Sequence, residues 1–506
     1  MSARKAVRLA LTLLLVCPLT AVCQSPRFST LKIRTVEDGQ PTPSRILLRD
    51  ASGETVIPDG RYKYQASFVI AGEAVMEVTP GEYSLAVKRG LEYETVETDL
   101  DLAAGATTEV ELPLMRWVDL NGMGWYGGDL HVHRMVEIIP KLLLAEDLNL
   151  CTVQSLWNME SFWKKKKLPE DLIQEADPTH VFHVLSEEDE RDGGAVMFYN
   201  LKEPIPIAVP SRAYPSSLGF IEQAHEQGAW VEEEKPFWWE SPVNVALGGV
   251  KSTEIVNNHF YEGGILNNEA WGRPRDPEKY GPEPIGYCQY VLDLYYSFLN
   301  AGFPLIPTAG SASGVLPNPL GYNRIYVQCE DFSYGAWWEG LSQGRHFVTN
   351  GPALFVEMNG KPHWENLPGD AQEVRIRVRA MALDGVSRIE VIGDGQVIAR
   401  HDPLGAPNEA IWEDTLSCSD LSWLAVRVFE PAENTVQFAH TSPTYIEGRQ
   451  SKFKTEAGKF FVSWIDDLLA KIEENPKRYE TPEQKAEIRG EYLRAREVYS
   501  KIAEGE

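Results

Sequence analysis

The sequence is poor in positive charge. Its 48 lysine and arginine residues stand against 74 aspartate and glutamate residues, which gives a formal net charge of −26. Such an acidic chain argues against nucleic acid or anionic lipid as a partner, because both repel it. Small molecules remain open as ligands, since they respond only to the local field of a site.

Long apolar runs are also lacking. Residues 1–23 read as a signal peptide, with a basic start, an apolar stretch at 9–16 and a cleavage triplet ending at Cys23. The apolar stretch is much shorter than the ~20 residues that span a bilayer, which disfavours a membrane anchor. A lipid anchor on Cys23 is disfavoured because Val22 is bulky. We therefore predict a secreted or periplasmic protein with no stable membrane insertion after cleavage.

Cysteine is scarce as well. Outside the predicted signal peptide the cysteines are far apart and form no CxxC motif, at Cys151, Cys288, Cys329 and Cys418. A disulfide is allowed in an oxidising compartment, but this spacing assigns none. Cys151 lies in an apolar predicted strand, which favours a buried free thiol.

Internal repeats and low-complexity segments are absent, and 506 residues are too many for one core, so we expect roughly three domains. Alternating patterns predict a β-sandwich over 26–116 and another over 352–447. Residues 117–351 alternate short apolar strands with helices, which predicts an α/β region of parallel units. A charged tail at 448–506 has helical periodicity and is expected to pack back on that region.

Candidate catalytic groups are expected at the predicted strand ends of the α/β region, because catalytic groups of β/α barrels lie there. Predicted strands end near His131, Trp157, Ser186, Glu233, Asn257 and Ala309. Predicted helices cover 136–148, 216–227 and 287–301.

The first strand end carries an HxH motif. His131 and His133 point to the same side of a strand, so both can offer a ring nitrogen to one metal at ~2.0–2.1 Å. Asp129 lies on the same face, as a further ligand or as a group that orients one. A bare HxH motif also occurs as packed core histidines.

Later strand ends offer weaker candidates. Glu188, in an acidic run, is either a metal ligand or part of a solvated charged face. Lys235 follows a predicted strand and precedes two tryptophans. It is a desolvated lysine, a fixed positive charge in the site, or a surface lysine paired with a neighbouring glutamate. His259 is a third nitrogen ligand, a general base or a structural histidine. Trp157 is expected to form a pocket wall.

Several motifs together resemble the PHP (polymerase and histidinol phosphatase) metallohydrolases, nearest the CehA/McbA branch. Residues 125–133, WYGGDLHVH, are similar to that branch's entry motif, and 321–327 and 344–352 to its late signatures. The resemblance covers roughly 30–450. It implies a distorted (β/α)7 barrel, a prealbumin-like sandwich before it, a multinuclear metal site, and secreted or periplasmic enzymes that act on esters and carbamates.

The chain departs from this pattern at several ligand positions. Where the family has Thr-Asp-His, Gly-His, Glu-His-Pro and Ser-Asp-x-His, this chain has Ser-Leu-Trp at 155–157, Gly-Ala at 194–195, Glu-Lys-Pro at 234–236 and Ser-Ala-Ser-Gly at 311–314. Only His131, His133 and Glu188 match directly. The resemblance therefore implies a reduced site for one divalent Zn, Mn or Fe ion.

Two functions remain open from the sequence. The first is a hydrolase of ester, carbamate, amide or phosphoester bonds in a small-molecule or carbohydrate-like substrate. In it, His259 is a ligand or base, and Lys235 and Arg324 stabilise an oxyanion. A carboxylated Lys235 that bridges two metals is a variant of this hypothesis. The second function is a catalytically inactive binding or scaffold protein that keeps the fold.

Overall fold

The computed structural model describes residues 28–157, 160–207, 209, 211–474 and 478–505. The predicted signal peptide, residues 1–23, lies outside them. Within these ranges no helix combines the length and the apolar character needed to cross a membrane. The chain is mixed α/β and rich in strands, with several sheets and a helical C-terminal tail.

The N-terminal part folds into two four-stranded sheets that enclose one apolar core. Its strands are β1 Ser29–Glu37, β2 Gln40–Pro41, β3 Ser44–Asp50, β4 Phe68–Ile70, β5 Glu73–Val78, β6 Gly81–Lys88, β7 Val96–Leu102 and β8 Thr107–Pro113. One sheet has the order β2-β1-β5 with β8 also paired to β1, and the other has the order β4-β3-β6-β7. In β5 buried and exposed residues alternate strictly, which is the pattern of a strand with one face on a core.

The central part alternates strands with helices. Its first half contains β9 Trp125–Val132, α1 Ile139–Glu146, β10 Leu150–Trp157, β11 Glu160–Ser161, β12 Ile173–Asp177, β13 His180–Arg191, β14 Gly194–Tyr199 and α2 Leu218–Glu226. Its second half contains β15 Trp230–Glu233, α3 Ser241–Leu247, β16 Ser252–Val256, β17 Phe260–Tyr261, β18 Gly264–Ile265, α4 Pro277–Tyr280, α5 Pro284–Asn300, β19 Ile306–Ala309, β20 Arg324–Gln328, α6 Tyr334–Ser342 and β21 His346–Thr349. Short 3₁₀ helices lie at Asn121–Met123, Val136–Ile138 and Phe162–Lys165.

One large sheet organises this part, in the order β19-β16-β15-β14-β13-β10-β9-β20-β21. The strands β9, β10 and β13 are parallel, as are β15, β16 and β19, while β14 runs antiparallel between the two groups. The sheet curls, as shown by a β-bridge between Ser313, in the loop after β19, and Val132 at the end of β9. His346 Nε2 on β21 also lies 2.9 Å from the carbonyl oxygen of Pro307 on β19.

The acidic run is part of a strand. We expected a strand end near Ser186, but β13 continues to Arg191 because β14 pairs with it from Glu187 onward. Glu187, Glu188 and Asp189 are buried, so the alternative of a solvated charged face is wrong. The strand's alternation sends Glu188 to one side of the sheet and its two neighbours to the other.

The C-terminal part adds strands on both sides of a second apolar core. Its elements are β22 Ala353–Met358, β23 Lys361–Pro362, β24 Glu373–Met381, β25 Arg388–Gly393, β26 Gln396–His401, β27 Glu409–Ser417, β28 Trp423–Glu430, β29 Gln437–Thr441, β30 Thr444–Tyr445, α7 Lys454–Glu474 and α8 Pro482–Glu504. The strands β23-β22-β24-β27 form a separate sheet. The strands β29-β28-β25-β26 extend the central sheet, because β29 pairs with β21.

The tail packs back on the central part, as expected. The indole nitrogen of Trp464 on α7 donates to the carbonyl oxygen of Trp239 at 3.1 Å. The Tyr499 hydroxyl on α8 donates to the carbonyl oxygen of Pro242 at 3.0 Å. The four cysteines of the described ranges are buried free thiols.

An ion pair joins the N-terminal sandwich to the hairpin β17–β18. Glu262 lies between Lys88 and Arg45, whose Nη1 is 3.2 Å from Glu262 Oε2. Burial disfavours the charge of Glu262, but these two cations outweigh burial and lower its pKa from 4.5 to about 2. The stabilisation is complete above pH 4.5 and is lost as the pH falls toward about 2.

We expect Glu262→Gln to lower the free energy of unfolding by about 2 kcal/mol at neutral pH, because hydrogen bonds to a charged group are lost. The difference from the wild type should shrink as the pH falls below about 4.5. Urea unfolding of both proteins along a pH series measures it. A difference that stays constant through this range would contradict the assignment.

Candidate metal centre

His131 on β9 and His133, the first residue beyond the end of that strand, face each other. The Nε2 atoms of His131 and His133 lie 3.0 Å apart, on the same face of the strand as the i, i+2 spacing predicts. The strand β9 lies between β10 and β20, which buries it. The backbone N–H of His133 donates to the carbonyl oxygen of Ser313 at 2.8 Å, which fixes the end of the strand.

Glu188 completes a first cluster with His131 and His133. Its Oε2 atom lies 3.1 Å from His133 Nε2 and 3.9 Å from His131 Nε2. Among the residues that the structure describes, no donor forms a hydrogen bond to this oxygen. Burial raises the pKa of Glu188 to about 8, although the charge of His131 acts in the opposite direction.

A second cluster joins His131 to two buried carboxylates, Glu234 and Glu254. Glu254 Oε1 lies 3.0 Å from His131 Nδ1, and Glu234 Oε1 lies 3.7 Å from the same nitrogen. Burial, followed by the carboxylates of Glu234 and Glu232, raises the pKa of Glu254 well above its ordinary value. The two clusters share His131, which offers one ring nitrogen to each.

The first cluster fits a divalent metal ion. With Nδ1 of His131 bound to Glu254, the Nε2 atom of the same ring faces His133 and Glu188, where its lone pair would be available to an ion. Ligand atoms at ~2.0–2.1 Å from a tetrahedral ion lie about 3.3 Å apart, and the measured separations are 3.0–3.9 Å. The Oε2 atom of Glu188 accepts no hydrogen bond, and a bound cation would satisfy this buried oxygen. Zn, Mn and Fe all accept this set of two imidazoles and one carboxylate.

Asp129 anchors the loop that follows β19. Its carboxylate accepts from the backbone N–H groups of His131 and Ser311, each at 3.1 Å, from that of Gly321 at 2.8 Å, and from the Ser311 hydroxyl. Both oxygens are therefore engaged, which places Asp129 as a group that orients the strand end. A Cβ atom at Gly310 would lie 2.4 Å from His131 Cβ and from Glu254 Oε1, so glycine is required for this close approach.

Lys235 lies inside the site. Its ammonium pairs with the carboxylate of Glu234 and lies 4.9 Å from the centre of the Trp238 ring. The side chain is only 4% exposed, so the predicted pairing with a neighbouring glutamate occurs, but in the interior. Burial disfavours the charge of Glu234, yet Lys235 and then His131 outweigh it and lower the pKa of Glu234.

His259 belongs to neither cluster. Its Nδ1 atom donates to the carbonyl oxygens of Leu266 at 3.1 Å and Asn268 at 3.0 Å, and its ring stacks on Tyr287. Burial, followed by the field of Lys235, lowers the pKa of His259 to about 3. A base with such a low pKa is poorly matched to proton transfer near neutral pH.

Arg324 points away from the clusters. Its guanidinium donates to the carbonyl oxygens of Gly321, Asp147 and Glu146 and to the Tyr326 hydroxyl. It is 1% exposed, and these acceptors hold it between β20 and the end of α1. The structure thus does not bring Arg324 together with His131 and His133.

An aromatic wall borders the site. The Trp157 ring lies 4.9 Å from the His133 ring, and its indole nitrogen donates to Glu190 at 2.7 Å. On the other side, the Trp238 indole nitrogen donates to Glu234 Oε2 at 2.7 Å, and its ring stacks on Trp271 at 4.9 Å. The expectation that Trp157 lines the site agrees with these contacts.

Glu234 and Glu254 were not predicted as ligands from the sequence. Glu254 is one of three polar residues in the five-residue strand β16, and Glu234 stands in a run of three glutamates. Their position was the available signal. Glu234 follows the end of β15 and Glu254 lies two residues before the end of β16, and the ends of these parallel strands meet at one edge of the sheet. The three glutamates point differently, and Glu233 instead binds Ser241 and Asn244 of α3.

Comparisons with known proteins give no family. A scan against family models and a search of curated proteins both find no match. Among solved structures, the minor pilin GBS52 of Streptococcus agalactiae shows 16% identity and a TM-score of 0.16, covering 18% of this chain and 46% of that chain. The TIE protein of Bacillus anthracis shows 8% identity and a TM-score of 0.14, covering 84% and 49% respectively.

A third solved structure, the β-glucuronidase of Parabacteroides merdae, shows 10% identity and a TM-score of 0.14. The match covers 82% of this chain and 61% of that chain. In all three comparisons the chain spans less than two thirds of the solved chain's length. TM-scores of this size do not establish a shared fold.

Proposed function

We propose that the protein is a secreted or periplasmic metal-dependent hydrolase of ester, carbamate, amide or phosphoester bonds. In this proposal the central part is a distorted (β/α)7 barrel of the PHP type, and its reduced site holds one divalent transition metal. The observation that carries the proposal is the first cluster, where two imidazole nitrogens and a carboxylate oxygen without a hydrogen-bond donor converge. The bridge from Val132 to Ser313 supports the closed shape.

Each residue near the first cluster has a part in this proposal. His131, His133 and Glu188 bind the ion, which supplies Lewis-acid polarisation of a carbonyl or phosphoryl oxygen. Glu254 accepts the Nδ1 proton of His131 and so orients the ring. Lys235 provides a fixed positive charge that stabilises negative charge developing on a substrate oxygen.

The substrate is small in this proposal. The side chains of His131, His133 and Glu188 are 2%, 7% and 4% exposed, so a polymer cannot reach the cluster directly. His133 and the neighbouring Trp157 are the most accessible part. An aromatic ring at this position suits an apolar group or a sugar ring, which agrees with a small-molecule or carbohydrate-like substrate.

The test is a hydrolysis screen of the protein reconstituted with zinc, manganese or iron(II). Chromogenic esters, carbamates, anilides and phosphodiesters represent the four bond classes. We expect activity with at least one class, and a loss of more than about 100-fold in kcat/KM for Glu188→Gln, which keeps shape and removes the charge. Glu175→Gln, at an exposed position of β12, is the matched control and should keep full activity.

A catalytically inactive binding or scaffold protein is the second candidate. The close enclosure of the cluster and the buried ion pair of Lys235 with Glu234 favour it. A protein that binds metal in the first cluster but hydrolyses none of the four substrate classes would support this candidate and contradict the hydrolase.

A further inference from the structure

We propose that the second cluster is a latent metal site whose cation position is filled by the ammonium of Lys235. This inference rests on the proposed metal site, because it assigns the number of ions that site takes. The chain would then bind one ion in the first cluster and supply the second positive charge from its own side chain.

Both carboxylate oxygens of Glu234 are already occupied by donors of the chain itself. Its Oε1 atom is the oxygen that faces His131 Nδ1, at 3.7 Å. The same oxygen already accepts from the ammonium of Lys235 and from the amide of Asn258 at 2.9 Å. The remaining oxygen accepts from Trp238 at 2.7 Å. The ligand atom that a second ion would need is therefore bound to an internal cation.

Charge balance points in the same direction. Glu234 is 2% exposed and its pKa is lowered, and a buried carboxylate that keeps its charge requires a compensating cation. The Lys235 ammonium meets this need and is held in place by Glu234 and the face of Trp238. Burial has the largest effect on the pKa of Glu188, Glu254 and His259, and the charge of Lys235 lowers the pKa of all three.

The same contacts disfavour a carboxylated lysine. A carbamate on Lys235 would be an anion directly beside the buried Glu234 carboxylate, and like charges at this distance repel strongly in a poorly solvated site. An ammonium instead donates to that carboxylate and neutralises it.

Removing the charge of Lys235 tests the inference. We expect Lys235→Met, which keeps length without charge, to bind about two equivalents of zinc or manganese per chain, where the wild type binds about one. Lys235→Arg keeps a cation and should stay at about one. Elemental analysis after equilibrium dialysis against each metal alone gives the stoichiometry, and near-UV circular dichroism checks the fold. Lys235→Gln replaces the methionine variant if that variant does not fold.

Thermal unfolding provides a second readout. The metal-free methionine variant should unfold at a lower temperature than the wild type, because it leaves Glu234 buried without its counter-ion. Added zinc should raise its midpoint more than that of the wild type, since two sites are filled instead of one.

The outcomes separate the two proposals. One equivalent in both the wild type and Lys235→Met overturns the latent site and leaves the hydrolase proposal intact. Two equivalents in the wild type overturn the latent site as well, because Lys235 then does not fill it. No metal in the wild type but one equivalent in Lys235→Met supports the latent site and contradicts the first cluster. No metal in either protein overturns both.

Discussion

Replacing His131 with alanine is expected to weaken metal binding by more than about 100-fold, beyond the loss seen when a residue that merely orients a ligand is removed. The reason is its position: one ring nitrogen faces His133 and Glu188, and the other faces Glu254. No other residue of the two clusters belongs to both. Hydrolytic activity should fall with the affinity. Calorimetric titration of the metal-free protein with zinc measures the change.

A matched control is His401→Ala. This histidine lies on β26, where its ring stacks on Trp412, and should leave the metal affinity unchanged. If His131→Ala bound zinc as tightly as the wild type, the metal would be held elsewhere and the assignment of both clusters would fail.

Replacing Asp129 with asparagine is expected to lower the free energy of unfolding by about 2–4 kcal/mol, measured by urea unfolding without metal. The carboxylate accepts from four donors on β9 and on the loop after β19. In asparagine an NH₂ group replaces one of the two carboxylate oxygens. This group cannot accept hydrogen bonds, so the buried N–H and O–H groups that face it lose their acceptor.

Asp119→Asn provides the comparison for this effect. Asp119 is exposed and accepts from the backbone N–H of Gly122 at 2.9 Å. Its replacement should change the stability by less than about 1 kcal/mol, because water can replace the lost contact. Similar small losses for both variants would mean that Asp129 does not hold the strand end together.

The strand and helix pattern of the central part was accessible from the sequence because it depends on local periodicity. The predicted helix at 287–301 corresponds to α5, and the strand ends at Glu233 and Ala309 fall where β15 and β19 end. The extension of β13 was missed because it depends on pairing with β14, a contact between segments that local pattern does not encode. For the same reason the pairing of β29 with β21 was not foreseen. This pairing makes one sheet continuous across the predicted domain boundary at residues 351–352.

The candidate site divides in the same way. The sequence predicted that His131 and His133 share a face, since that follows from strand geometry alone. Glu188 was a candidate ligand because it follows a predicted strand end, and the resemblance matched it to a ligand position. The partners of Arg324 and His259 depend on how the sheet curls and where the loop at 266–268 lies, so their expected roles did not follow from position at a strand end.

Elemental analysis of the purified wild-type protein, after reconstitution with zinc, manganese and iron(II) in turn, determines whether the first cluster binds a metal ion. We expect about one equivalent of a divalent transition metal per chain, and its loss in the His131→Ala/His133→Ala double variant. No bound metal under any of these conditions, or an equivalent that the double variant retains, would contradict the first cluster and with it the proposed hydrolase.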